Sequence, residues 1–142
     1  MELYELIDKK SDTILNEALA LMSRANLKHY EYGGEQQTRK KITKLLELTR
    51  QSVLEKNLIP MINYIEKMAH QRFLSGFELQ EVQTAFNVLE ECIWKHILGT
   101  VPPSGQADAL SLVSSVLGSG KDTLARTYVS LASEKSMNLA EN

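Results

Sequence analysis

Cysteine occurs once in the 142 residues, at Cys92. The chain therefore cannot close an internal disulfide, and a lone thiol fits a reducing cytoplasm. Histidine is also scarce. His29, His70 and His96 are the only three, and none belongs to a Glu-x-x-His or His-Glu-x-x-His pattern. That removes the di-iron and zinc signatures built on such spacing, and with no Cys-x-x-Cys there is no thiolate zinc pattern either. No apolar run approaches the ~18 residues needed to cross a bilayer. "LIPMI" at 58–62 reads as a short buried patch. The opening "MELYELIDKKSD" is charged from its second residue, so it does not read as a signal peptide. Neither sign of charge dominates: the formal net charge is -2 and the pI about 5.9. Nothing global points to a polyanion or a membrane surface as partner. Strand signals are missing too, since no stretch alternates apolar and polar residues.

What remains is helix. Apolar residues make up 43% of the chain and charged residues 24%, the balance of one folded domain over residues 1–142. Breakers divide it at Gly33–Gly34, at Gly76 and at the Gly99–Gly105 cluster with Pro102 and Pro103. Five helical segments follow. The first, residues 3–27, reads as one kinked helix or two. It carries Leu3, Leu6 and Ile7, then Ile14, Ala18, Leu21, Met22 and Ala25. The second runs from Glu35 to Leu54 with Ile42, Leu45, Leu46, Thr49 and Val53 on one stripe. The third follows Asn57 as N-cap, with Pro60 in its first turn and Ile59, Ile62, Ile65, Ala69 and Phe73 on its face. Gly76 is expected to end it in a left-handed conformation, with Phe77 folding back. In the fourth, Leu79, Val82, Phe86, Leu89, Ile93 and Ile97 repeat at three- and four-residue spacing. The fifth presents Leu110, Val113, Leu117, Leu124, Tyr128 and Leu131. Gly118 and Gly120 predict a kink or a close helix contact in its middle, and the polar tail from about residue 134 is expected to fray. The architecture is an all-α antiparallel bundle or a globin-like stack.

Few residues offer chemistry. Cys92, Trp94 and His96 lie close in sequence, but residues two apart on a helix point away from each other. Cys92 and His96 do share a face, and a Cys–His pair can generate a thiolate. The simpler reading is a buried Cys92 and a solvated His96 near a helix end. His70 and His96 are the weak candidates for a proximal haem ligand. "GSGKDT" at 118–123 lacks both the upstream strand and the spacing of a phosphate loop. "RKKITK" at 39–44 lies in a stretch, 35–56, of charge +3, whereas 78–98 carries -3. Arg39, Lys40, Lys41 and Lys44 are the residues a nucleic acid would use, but a patch this small argues for two solvated faces instead. Arg72 and Glu81 flank Gly76 and are placed to pair across it.

"MAHQRFLSGFELQEVQTAFNVLEECIWKHIL", residues 68–98, resembles the N-terminal domains of RsbR-type proteins, the RsbT co-antagonists of the bacterial stressosome, and related kinase-associated domains. The pattern is carried by Arg72, Gly76, Phe77, Leu79, Glu81, Val82, Phe86 and Leu89. Glu78 stands where that family often has Ser or Thr. The resemblance implies a cytoplasmic sensory or regulatory domain in signal transduction and stress response. Such a domain has no catalysis and no cofactor, forms a homodimer, and couples to a regulatory protein partner. On that reading a signal passes by helix repacking, and the first segment and the apolar face of the fifth, Leu110, Val113, Leu117, Leu124, Tyr128 and Leu131, contribute to the dimer contact. The alternatives are a haem-binding gas or redox sensor and a small nucleic-acid-binding helical protein.

Overall fold

The structure, a computed structural model, describes residues 1–141. Among them the chain forms six helices and no strand: α1 (Leu3–Lys9), α2 (Ser11–Arg24), α3 (Lys28–Glu55), α4 (Ile59–Leu74), α5 (Leu79–Thr100) and α6 (Pro103–Glu141). The first expected segment is two helices, parted at Lys10. Asn26 then takes a left-handed conformation (φ 53°), which asparagine tolerates better than most residues, and α3 begins at Lys28, seven residues earlier than its apolar stripe predicts. Its regular path is interrupted only at Gly34 (φ 83°, ψ 166°), where the sequence calls for a turn. Thr38 spans that break, its hydroxyl donating to the Tyr30 and Gly34 carbonyls at 3.2 and 3.1 Å.

The architecture is an all-α bundle. α6 lies along both α4 and α5, α2 bridges α5 and α3, and α1 folds back onto α3. The α5 stripe is the centre of the core: Val82, Phe86, Leu89, Ile93 and Ile97 are buried. On α4 the buried face is rotated from the expected one. Met61, Ile65, Met68 and Ala69 point inward, while Ile59 is exposed. Met61 reaches α6, its Sδ 3.3 Å from where a Cβ at Gly120 would lie. Asn57 is not the cap itself. Leu58 holds that position, and Asn57 Oδ1 accepts the Ile59 N–H at 3.1 Å.

α6 departs most from expectation. It is a single helix through its glycines, and its assigned span runs to Glu141. The glycines have separate roles. A Cβ at Gly120 would lie 2.6 Å from Phe86 Cε1 and 3.3 Å from Met61 Sδ, so this glycine is the close contact. A Cβ at Gly118 would meet nothing within 4 Å. The apolar face of α6 is also already covered. Val113, Leu117, Leu124 and Tyr128 are buried within the monomer, and Leu110 and Leu131 are half-buried. The stripe expected at a dimer contact thus packs against α4 and α5 within the monomer.

The two glycines give substitutions of opposite sign. Gly120→Ala should destabilise by about 1–3 kcal/mol, since the added Cβ would force the buried Phe86 ring to shift. Gly118→Ala should stabilise by up to ~1 kcal/mol through helix preference alone. Phe86→Ala should cost roughly 3–5 kcal/mol. Urea unfolding of the three variants reads all of these, and equal effects at the two glycines would contradict the close contact.

Candidate functional site

The chain's polar groups concentrate where the α4–α5 turn meets the start of α3. Gly76 (φ 86°) closes α4 in the left-handed conformation expected of it. The Phe77 N–H reaches the Arg72 carbonyl at 2.9 Å and the Gly76 N–H the Phe73 carbonyl at 3.1 Å, the double bond of a Schellman end. This turn throws Phe77 inward. Glu78 then caps α5, and its N–H donates to Glu81 Oε2 at 2.8 Å, one half of a capping box.

Glu81 does more than complete that box. Its Oε1 accepts the backbone N–H of His29 at 2.8 Å, and its Oε2 lies 2.7 Å from His29 Nδ1. The His29 N–H is one of the free donors in the first turn of α3, whose own cap residue, Leu27, supplies no side-chain bond. Burial alone would raise the Glu81 carboxyl, but the bonds from His29 and Glu78 outweigh it and hold the group below its ordinary value. An ionised carboxylate can only accept, so His29 donates from Nδ1–H. The expected Arg72–Glu81 pair does not form. Glu81 is taken up by His29, and the buried Arg72 Nε has no hydrogen-bond partner.

Around this pair is an aromatic cluster. The Phe77 ring lies 5.1 Å from both His29 and Tyr30, edge-on to the latter, with Lys41 Nζ 4.6 Å and the Arg72 guanidinium 5.5 Å from its centre. The Tyr128 hydroxyl of α6 donates to the Phe77 carbonyl at 2.8 Å. Burial pushes the hydroxyls of Tyr30 and Tyr128 each up to about 12, so both stay protonated. On the far side of Tyr30 opens a cavity of about 450 Å³ between α2 and α3. Leu19, Ala20, Met22, Leu27 and Tyr30 give it an apolar wall. Asn16, Ser23, Glu31 and Glu35 supply polar groups, and the Gly34 break forms one edge. Its volume suits a small organic ligand.

The residues singled out for chemistry are placed otherwise. Cys92 is buried, and its thiol is pushed up to about 11, first by burial and then by the charges of Glu17 and Glu91. His96 is half-buried rather than solvated, and its Nε2 lies 3.0 Å from Glu17 Oε1. Trp94 points outward, and His70 is exposed on α4. Neither His70 nor His96 borders the cavity. Among the described residues, no three metal-ligating side chains cluster. The basic run is not simply a solvated face. Arg39 bonds Asn16 at 3.0 Å, Lys41 turns toward Phe77, and Lys44 covers the Tyr64 ring at 5.5 Å. His29 and Tyr30 were not flagged by any sequence pattern. The only local signal was the adjacent Gly33–Gly34 pair.

Glu81→Gln should cost about 1–3 kcal/mol, because it weakens the bonds at two helix starts. A carboxyl lowered in the folded state stabilises fully above its ordinary value of 4.5. That contribution is lost as the pH falls from there through the folded value. Urea midpoints should therefore decline more steeply with acid in the wild type than in Glu81→Gln; parallel curves would show Glu81 to be an ordinary surface carboxylate. Cys92 should react with a disulfide reagent at neutral pH no faster than the protein unfolds, and rapid labelling would contradict its burial.

Comparison of the chain with family models, curated proteins and solved structures found no match.

Proposed function

We propose that the chain is a non-enzymatic sensory or regulatory domain that binds a small ligand between α2 and α3 and passes the change to α6. One observation carries the reading: the cavity wall is in direct contact with the groups that anchor α6. Tyr30 lines the cavity and packs edge-on against Phe77, and the Phe77 carbonyl accepts the Tyr128 hydroxyl. A ligand displacing Tyr30 would act on Phe77 and so on the hold over α6. Such a ligand shifts an equilibrium only by binding one packing better than the other. The cavity lies beside the Gly34 break, where α3 has an interrupted hydrogen-bond ladder and bends at lower cost than inside a regular helix.

The buried, high-pKa Cys92 and the scattered histidines favour binding over catalysis. The similarity of residues 68–98 to RsbR-type domains points the same way, toward a homodimer and a regulatory protein partner in the cytoplasm. The exposed Val129, Met137 and Leu139 of α6 are apolar side chains available to either.

Filling the cavity mimics its occupation. Ala20→Trp should change hydrogen exchange across residues 125–139 roughly two- to thirtyfold, as expected of a coupling of about 0.5–2 kcal/mol. Leu98→Trp, at an exposed site outside the cavity lining, should leave those amides unchanged. Identical exchange in the wild type and Ala20→Trp would remove the coupling on which the reading depends.

A further inference from the structure

A second, much smaller hollow also borders Tyr30, where α3, α4 and α5 meet. Its volume is about 20 Å³, room for one occupant of water or halide size. Lys41 and Arg72 both line it, together with Tyr30, Tyr64, Met68 and Phe86. Among the described residues no carboxylate lies within 4.0 Å of either cation. The buried acid of this region, Glu81, already accepts from His29 twice and from Glu78 once. Arg72 Nε is buried with no acceptor.

Two partly desolvated cations around one small hollow repel each other, and the faces of Phe77 and Tyr30 compensate only in part. A cation over an aromatic ring gains far less than an ion loses on leaving water. The Lys41 ammonium reflects this, being depressed first by burial and then by the Arg72 charge. A water in the hollow would satisfy the orphaned N–H but leave both charges uncompensated.

We propose that this hollow is a binding site for a small monovalent anion of halide size, held between Lys41 and Arg72 with the Arg72 Nε–H as a donor. Phosphate, sulfate and carboxylate ligands are too large for the space. The site is distinct from the α2–α3 cavity, and Tyr30 is the one residue that lines both.

The test is thermal unfolding at constant ionic strength as sodium chloride, and separately sodium bromide, replaces sodium gluconate. The melting temperature should rise and saturate with either halide. Lys41→Met keeps the apolar stem beside Phe77 but removes the charge, and should abolish the rise. The proposal is overturned if chloride and gluconate give equal melting temperatures, or if Lys41→Met keeps the full halide dependence. Should that variant not fold, wild-type crystals grown in bromide decide the matter. An anomalous peak between Lys41 and Arg72 supports the site, and water alone in the hollow rejects it.

Discussion

One carboxylate organises the start of two helices. Glu81 sits in the first turn of α5, but its two oxygens take N–H groups from both Glu78 and His29, so α5 and α3 share a cap. Helix ends leave donors that must find partners, and here distant parts of the chain meet that requirement with a single side chain. The position of Phe77 follows from this. The left-handed Gly76 and the Glu78–Glu81 bond hold the turn from either side, and the ring between them has one direction left, into the cluster of His29, Tyr30, Lys41 and Arg72.

Beside the α2–α3 cavity, α3 is pinned at one end and packed at the other. His29 fastens its first turn to α5, while Ile42, Leu45, Leu46 and Thr49 bury its main length in the core. The non-helical Gly34 separates the first six residues of α3 from its main length. At that break Thr38 supplies a partner for the carbonyls beside it. The cavity lies along α2 with Gly34 at its edge.

The helices were legible in the sequence because their evidence is local. The α5 stripe, the Gly76 end and the α3 core positions all read directly from three- and four-residue spacing. The faces of α4 and α6 were less so. Periodicity shows that an apolar face exists, but not which neighbour covers it, and the α6 stripe is covered by α4 and α5 of the same chain. The site was hardly legible at all. His29 and Glu81 are 52 residues apart, as the numbering alone shows, and no spacing rule links such a pair. Gly33–Gly34 marked the right place but read as a turn, because two adjacent glycines do not reveal that helix continues on both sides. Lys41 was hidden inside a basic run in which Lys40 and Lys44 are exposed.

The length of α6 has a mechanical consequence. Beyond Leu131 the residues from 132 to 139 lie exposed on a regular helix, which at ~1.5 Å per residue extends about 12 Å past the last half-buried side chain. Tyr128 is the last buried side chain on the rod, and its single bond to the Phe77 carbonyl lies at the base of this free portion. Such an arrangement is a lever with its fulcrum at Tyr128. A tilt of about 10° at that point carries the far end through roughly 2–3 Å for the length given by the helical rise. A displacement at the fulcrum too small to disturb the packed core thereby becomes one comparable to the width of an atom at the tip.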